Sequence, residues 1–281
     1  MHLLREVRFF LPGSATGPAE VSSPGPVLNS WAGGLAGQGL RPYLVLQAKV
    51  CGTVNPRTGY LCNISLIDRL LRDRAIPYLQ RYWAGQVDPP PSPAAAVAGL
   101  WPRLLDRFPA PAMPVSLTLR ISPFLSFTAE SGILPMIVMT ESFEFSAAHR
   151  LHCPDLTDEQ NRATFGKCAN AHGHGHNYVV EVSIAGQPDE RTGTITDQAG
   201  FQRVVKERVI DRFDHRHLNR DCPEFAELNP SVENITRVIW NLLAGALAPA
   251  RLHCVRVWET PKTCAEYRGQ QDPEAPPAGS N

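Results

Sequence analysis

Between His2 and His149 there is no histidine, which excludes an imidazole-based metal site from just over half of the chain. Lysine is nearly as scarce. Among 27 basic residues only Lys49, Lys167, Lys206 and Lys262 are not arginine, and with abundant Ala and Pro this suggests a GC-rich, bacterial coding style. No stretch approaches the ~20 apolar residues of a membrane span, so no membrane partner is expected. Net charge is absent too, 27 basic against 27 acidic residues, and gives no overall ground for a nucleic-acid partner. The balance hides an asymmetry. Positions 1–135 carry 12 basic and 7 acidic residues (+5), and the remainder carries 15 and 20 (−5). Seven cysteines, an odd number with no framework spacing, argue for reduced thiols and a cytoplasmic protein. The opening Met1-His-Leu-Leu-Arg-Glu-Val-Arg8 includes Glu6 and lacks a long apolar core, so no signal peptide is expected there. Residues 270–281, rich in Pro, Gly and polar groups, read as a disordered tail.

What is present is concentrated in Phe165-Gly-Lys-Cys-Ala-Asn-Ala-His-Gly-His-Gly-His-Asn-Tyr178. His174 and His176 run into the alternating strand pattern Tyr178–Ile184. Residues two apart on a strand share a face, so the two imidazoles can converge on one ion. The run Phe143-Glu-Phe-Ser-Ala-Ala-His149 supplies a third. Three neutral histidines suit Zn2+ and leave one coordination position open. Cys168, six residues before His174, lies within reach of that position; a fourth, structural ligand and an inert buried thiol are the competing readings. Asp214-His215 follows a helical stretch from Ala199 to Phe213, and Glu259 ends the strand Cys254–Trp258. An acid, an acid–base imidazole, a thiol and an open metal position are the parts needed for moving protons on a substrate.

With these residues in hand, the chain from about Ser142 to Gly269 resembles the 6-pyruvoyl-tetrahydropterin synthase and 6-carboxy-tetrahydropterin synthase family, zinc enzymes of the tunnelling fold. The resemblance rests on Phe145-Ser-Ala-Ala-His149-Arg-Leu, Phe165-Gly-Lys-Cys168, Gly173-His-Gly-His176-Asn-Tyr178, Thr192-Gly193, Asp214-His215-x-x-Leu218-Asn219, Glu233-Asn234 with Trp240, and Glu259-Thr260. It implies zinc on His149, His174 and His176, Cys168 as the base toward a carbon-bound proton, and Asp214 with His215 as its proton relay. It also implies Glu259 as the carboxylate that grips the pterin edge, a bidentate partner for its N–H donors. Glu233 matches the family as a second substrate-binding residue, although an acid after Ser231 also simply favours a helix N-terminus. The implied substrate is 7,8-dihydroneopterin triphosphate, the implied assembly a homo-oligomer whose sheet edges join between subunits. The product is expected to be 6-carboxy-5,6,7,8-tetrahydropterin, as a bacterial style suggests; the spacing of Cys168 from His174 is similar instead to the 6-pyruvoyl type. A zinc- and pterin-binding scaffold without turnover is the reading of another class.

The first half repeats the pattern of the second. Tyr43–Gly52 mirrors Tyr178–Gly186, and Val54-Asn-Pro-Arg-Thr-Gly59 mirrors Pro188-Asp-Glu-Arg-Thr-Gly193, each read as a hairpin turn with its glycine in place. Helical runs follow at Leu66–Tyr82 and Phe201–Phe213. Pro91-Ser92 with Trp101 mirrors Pro230-Ser231 with Trp240, and Val115–Ile121 mirrors Leu252–Trp258. The predicted fold class is therefore α+β: two tandem tunnelling-fold ββααββ domains, each an antiparallel sheet with two helices on one face. Residues 1–135 form the degenerate copy and 136–269 the catalytic one. The first copy has lost its chemistry. Gly39-Leu-Arg41 or Leu40-Arg-Pro42 stands where the second has His174-Gly-His176, Gln80-Arg81 where it has Asp214-His215, Ala94-Ala95 where it has Glu233-Asn234, and Ser122 where it has Glu259.

The remaining candidates read as structural. His172 belongs to a loop, and His152, His217 and His253 are surface or packing groups. Cys51 and Cys62 are small core residues, and Cys153, Cys222, Cys254 and Cys264 show no ligand spacing. Gly173-x-Gly175 is no phosphate loop, since no helix follows it. The charges from Arg203 to Arg212 form a solvated helix face.

Overall fold

The computed structural model describes residues 1–11, 42–85 and 92–269. The tail expected over 270–281 and the Gly39–Arg41 segment lie outside the described residues. The chain divides into two compact units. One comprises Met1–Glu141, Ile184–Gly200 and Ala248–Arg251; the other comprises Ser142–Ser183, Phe201–Leu247 and Leu252–Asn281.

In the first unit the order is β1 (His2–Phe10), β2 (Tyr43–Cys51), α1 (Ile64–Leu70), α2 (Ile76–Trp83), α3 (Pro93–Leu104), β3 (Met113–Ser122) and β4 (Leu125–Glu130), with the first residues of β5 (Ile137–His149). Strands β1 to β5 pair antiparallel in sequence order. Their register lines up Val7, Leu46, Leu119, Phe127 and Met139 in one row across the sheet, and all five are buried. Period-two alternation produces this row: Leu44, Leu46, Ala48 and Val50 of β2 point inward while their neighbours do not. A π-helical turn, Leu71–Ala75, joins α1 to α2. Ile67, Leu71, Ala75, Tyr78, Leu79 and Tyr82 form the buried stripe of this helical stretch.

The segments predicted as hairpin turns, 54–59 and 188–193, are strand-to-helix loops instead. Each is closed by an Asx motif. The Asn55 side chain accepts from the Arg57 and Thr58 N–H groups, and Gly59 (φ 70°) donates its N–H to Asn55 O at 2.8 Å. The Asp189 side chain accepts from the Arg191 and Thr192 N–H groups, and Gly193 (φ 68°) donates to Asp189 O at 2.7 Å. A side chain that satisfies its own following N–H groups ends a strand without a paired return strand, which is why the glycine misled.

In the second unit, residues 142–149 of β5 are followed by α4 (Asp158–Phe165), β6 (His174–Gly186), α5 (Gln198–Val205), α6 (Asp211–Phe213), β7 (Arg216–His217), α7 (Leu218–Asp221), α8 (Val232–Leu243), β8 (Arg251–Thr260) and β9 (Thr263–Tyr267). The strand order is β5-β6-β8-β9, and β7 adds in parallel to β5 with Ala147 opposite Arg216. A π-helical turn, Lys206–Ile210, joins α5 to α6. The core forms where Phe145 stacks on Tyr178 (centroids 4.9 Å apart) and meets Phe213 (5.8 Å). Each fully buried aromatic of this kind contributes about 1.5–3 kcal/mol. Helix α8 buries Val232, Ile235, Thr236, Ile239 and Leu243, a 3.6-period stripe, and the Ser231 side chain caps it by accepting from Asn234 N–H.

Candidate metal and catalytic site

The site grows out of the core face of two strands. Phe143, Phe145, Ala147 and His149 are the inward residues of β5, so the row ends on an imidazole that is fully buried. On β6 the inward row is Val182, Val180, Tyr178, His176 and His174, with Gly175 and Asn177 exposed between them. The expected register of His174 and His176 is the observed one. One ring nitrogen from each of the three histidines lies within 4.8 Å of the others, and this is the single such cluster among the described residues. His149 Nε2 and His174 Nε2 are 3.2 Å apart.

The surroundings select the protonation state. His149 Nδ1–H donates to Pro230 O at 2.7 Å, which leaves the Nε2 lone pair facing the cluster. Burial pushes His149 down to about 4, beyond the opposing effect of that carbonyl, and burial followed by His176 lowers His174. His149 and His174 are therefore held neutral, the form in which an imidazole can bind a metal. His174 Nδ1 and His176 Nε2 are buried without a hydrogen-bond partner. Three converging ring nitrogens, one of them orphaned on His176, fit a divalent cation.

Residues beyond the three histidines hold the geometry. Asn219 brackets Arg150: its Oδ1 accepts from Arg150 N–H at 2.8 Å and its Nδ2 donates to Arg150 O at 3.0 Å. Asn234 Nδ2 donates to Asn229 O at 2.8 Å, which fixes the loop that presents Pro230 O to His149. Gly173 has φ 74°, and a Cβ there would stand 2.8 Å from His149 O and 2.9 Å from His217 Nε2. Tyr178, fully buried, lies edge-on to His176 (5.6 Å) and His149 (6.2 Å) with its hydroxyl unpartnered.

Glu259 comes to the same place from β8. Its Oε1 lies 3.4 Å from His149 Nε2 and 3.7 Å from His176 Nε2. Cys168 sits in the turn Gly166–Ala169, which is pinned to the segment after His149 by Leu151 N–H donating to Cys168 O (2.9 Å) and Arg150 Nε donating to Ala169 O (3.2 Å). Burial, then Glu259, pushes the Cys168 thiol up. Asp214 and His215 form a pair, His215 Nδ1 to Asp214 Oδ2 at 3.0 Å. The pair is docked on β5 by Ser146 N–H donating to Asp214 Oδ1 (2.9 Å) and His215 N–H donating to Ser146 O (2.6 Å), with His215 at φ 57°.

The structure thus brings together His149, His174, His176 and Glu259, with Cys168 close enough to feel Glu259. It leaves His215 84% exposed and without an interaction with Cys168 among the described residues. Glu233 is exposed in the first turn of α8. His217, read from sequence as a surface or packing group, has both ring nitrogens buried and packs against Gly173. Sequence reasoning missed Pro230 O and the Tyr178 hydroxyl. No local signal marks a carbonyl 81 residues from its histidine; the strand period does place Tyr178 on the ligand face.

A family model described as 6-pyruvoyl tetrahydropterin synthase matches residues 138–270. The 6-pyruvoyl tetrahydrobiopterin synthase of Drosophila melanogaster is 40% identical over 136 residues, 48% of this chain and 81% of that one. The 6-carboxy-5,6,7,8-tetrahydropterin synthase of Rickettsia conorii is 26% identical over 149 residues, 47% of this chain and 99% of that one. Among solved structures, the 6-pyruvoyl tetrahydropterin synthase of Caenorhabditis elegans is 38% identical and covers 48% of this chain and 96% of its own, with a TM-score of 0.46. The chain belongs to the 6-pyruvoyl tetrahydropterin synthase family. The enzymes of that family are lyases acting on pterins.

Proposed function

We propose that this chain is a zinc-dependent 6-pyruvoyl-tetrahydropterin synthase that acts on 7,8-dihydroneopterin triphosphate with loss of triphosphate. The observation that carries the reading is the convergence of His149, His174 and His176 beside Glu259 and the Cys168 turn, in a chain of this family. The product expected from coding style, 6-carboxy-tetrahydropterin, gives way here: 6-pyruvoyl relatives at 36–40% identity support the 6-pyruvoyl product better than a 6-carboxy relative at 26%.

On this reading the three imidazoles hold the ion. Bound there, a zinc ion supplies Lewis-acid polarisation of the substrate side-chain oxygens and makes the neighbouring thiol easier to ionise. Cys168 Sγ takes the carbon-bound proton, and Asp214, by accepting from His215 Nδ1, holds the imidazole ready to pass a proton on through Nε2. Glu259 receives the pterin N–H groups, with Glu233 in a supporting place. His215 faces outward from its own unit, which favours an arrangement where it serves a neighbouring subunit's Cys168 in a homo-oligomer. The edge strand β9 offers hydrogen-bonding groups for such an assembly.

We also infer that residues 1–135 are a degenerate duplicate of 136–269. Matching Asx loops at 55–59 and 189–193 and matching π-helical turns at Leu71–Ala75 and Lys206–Ile210 support this. The duplicate's residues have become packing groups, Ala94 and Ala95 being buried. Seven free cysteines fit a reducing, cytoplasmic setting.

The test is incubation with 7,8-dihydroneopterin triphosphate and identification of the product by mass. Release of triphosphate with formation of 6-pyruvoyl-tetrahydropterin is expected. Cys168→Ala should lower turnover on the order of 10²–10⁴-fold while zinc stays bound. Formation of 6-carboxy-tetrahydropterin and acetaldehyde would reassign the product, turnover indifferent to Cys168→Ala would remove Cys168 as the base, and pterin binding with no turnover at all would leave only a scaffold.

A further inference from the structure

A cavity of about 580 Å³ opens against His174 and is lined by Arg150, Asp158, Arg162, Lys167 and Asn170. Three cations face one acid there. None of the three is in an ion pair among the described residues, whereas Arg5, Arg8, Arg72, Arg212, Arg256 and Arg268 all are. Arg150 uses Nε–H on Ala169 O, which fixes the guanidinium plane and leaves its terminal N–H groups for another acceptor. Arg162 comes from the last turn of α4 and Lys167 from the Cys168 turn, so separate elements deliver the charges to one wall. Three cations against one acid on the wall of a concave pocket give it a positive field that attracts an anion.

We propose that this cavity holds the polyphosphate of the substrate, with Arg150 and Arg162 as guanidinium clamps and Lys167 as a point charge. The proposal rests on the pterin-synthase reading for the identity of the anion, but the pocket's chemistry stands apart from it. Planar guanidinium groups match phosphate oxygens in pairs, and an ammonium adds charge without directionality. His174 is shared between this cavity and the metal cluster, so a polyphosphate here places the rest of the ligand on the histidines. The pocket is concave and bounded, which suits a small anion and not the extended backbone of a nucleic acid.

Calorimetric titration of the metal-loaded full-length protein with inorganic tripolyphosphate tests this directly. Binding is expected, tighter than that of orthophosphate and falling steeply with salt. Arg162→Gln and Lys167→Gln should each weaken tripolyphosphate about tenfold or more, the loss of one charge-assisted hydrogen bond. Asp158→Asn should tighten it several-fold, an effect that a purely structural acid would not produce. These three side chains are on the surface of the cavity, so the variants should fold; chelation of the ion by tripolyphosphate would be equal in all of them. Equal affinity across the set, or no binding to the wild-type protein, would overturn the subsite. If the titrations behave as expected and no pterin product forms, the proposed function fails and the polyphosphate site stands. If product forms and the titrations are flat, the reverse holds.

Discussion

Gly173→Ala should cripple the protein while Gly175→Ala, two residues along the same strand entry, should not. At Gly173 the backbone has φ 74°, a region that costs an L-residue roughly 1–2 kcal/mol. The new Cβ would also stand 2.8 Å from a backbone oxygen, His149 O, closer than real contacts allow. That oxygen cannot swing aside, because β5 carries it and Asn219 clamps the next residue through both of its backbone groups. Relief must come from moving His174 or His149, two of the three histidines proposed to hold the metal. A further 1–3 kcal/mol is the usual cost of such overpacking, so the total is about 2–5 kcal/mol. At Gly175 the added carbon meets only Ala147 O at 3.6 Å, an ordinary contact. Urea unfolding midpoints and zinc content by elemental analysis would be measured on both variants. Gly173→Ala with wild-type stability and full zinc would refute the claim that this glycine sets the ligand geometry.

Further expectations follow from the same contacts. The metal-stripped protein should lose stability as pH falls from 7.5 to 5. His149 is held near pKa 4 in the folded state against 6.5 unfolded, so the unfolded chain takes the proton first. Stability is complete above 6.5 and is lost toward 4, roughly 3 kcal/mol over the whole interval; denaturant titrations should show a flatter profile for His149→Gln, and an identical profile would reject the assignment. Asn219→Ala should cost about 1–3 kcal/mol, because it strips partners from both backbone groups of Arg150; a midpoint within error of wild type would contradict this. Mixed oligomers of Cys168→Ala and His215→Ala chains should recover part of the activity if the exposed His215 serves a neighbour, and dead mixtures that still bind zinc would place the relay within one chain.

Much of the site was legible because it follows strand periodicity. The spacing His174-x-His176-x-Tyr178 fixes a common face, and the β5 alternation puts His149 on the inward row. The stripe of α8 was equally readable. What stayed hidden depends on contacts far apart in sequence. Pro230 O reaches His149 across 81 residues, Asn219 reaches Arg150 across 69, and β7 is only two residues long, too short for any pattern. Helix α4 is a different case: Thr157 and Gln160 form a capping box that the sequence displays, but its low apolar content gives no buried stripe to mark the helix that follows. The loops at 54–59 and 188–193 misled because a glycine at φ near 70° closes an Asx loop as readily as a hairpin.

The central claim is a single metal-dependent centre per chain, built by the second unit alone. Elemental analysis of the purified protein, paired with His174→Ala, tests it most directly. One zinc per chain in the wild type and none in the variant is the predicted result. Two zinc ions per chain, or one that survives His174→Ala, would contradict the account.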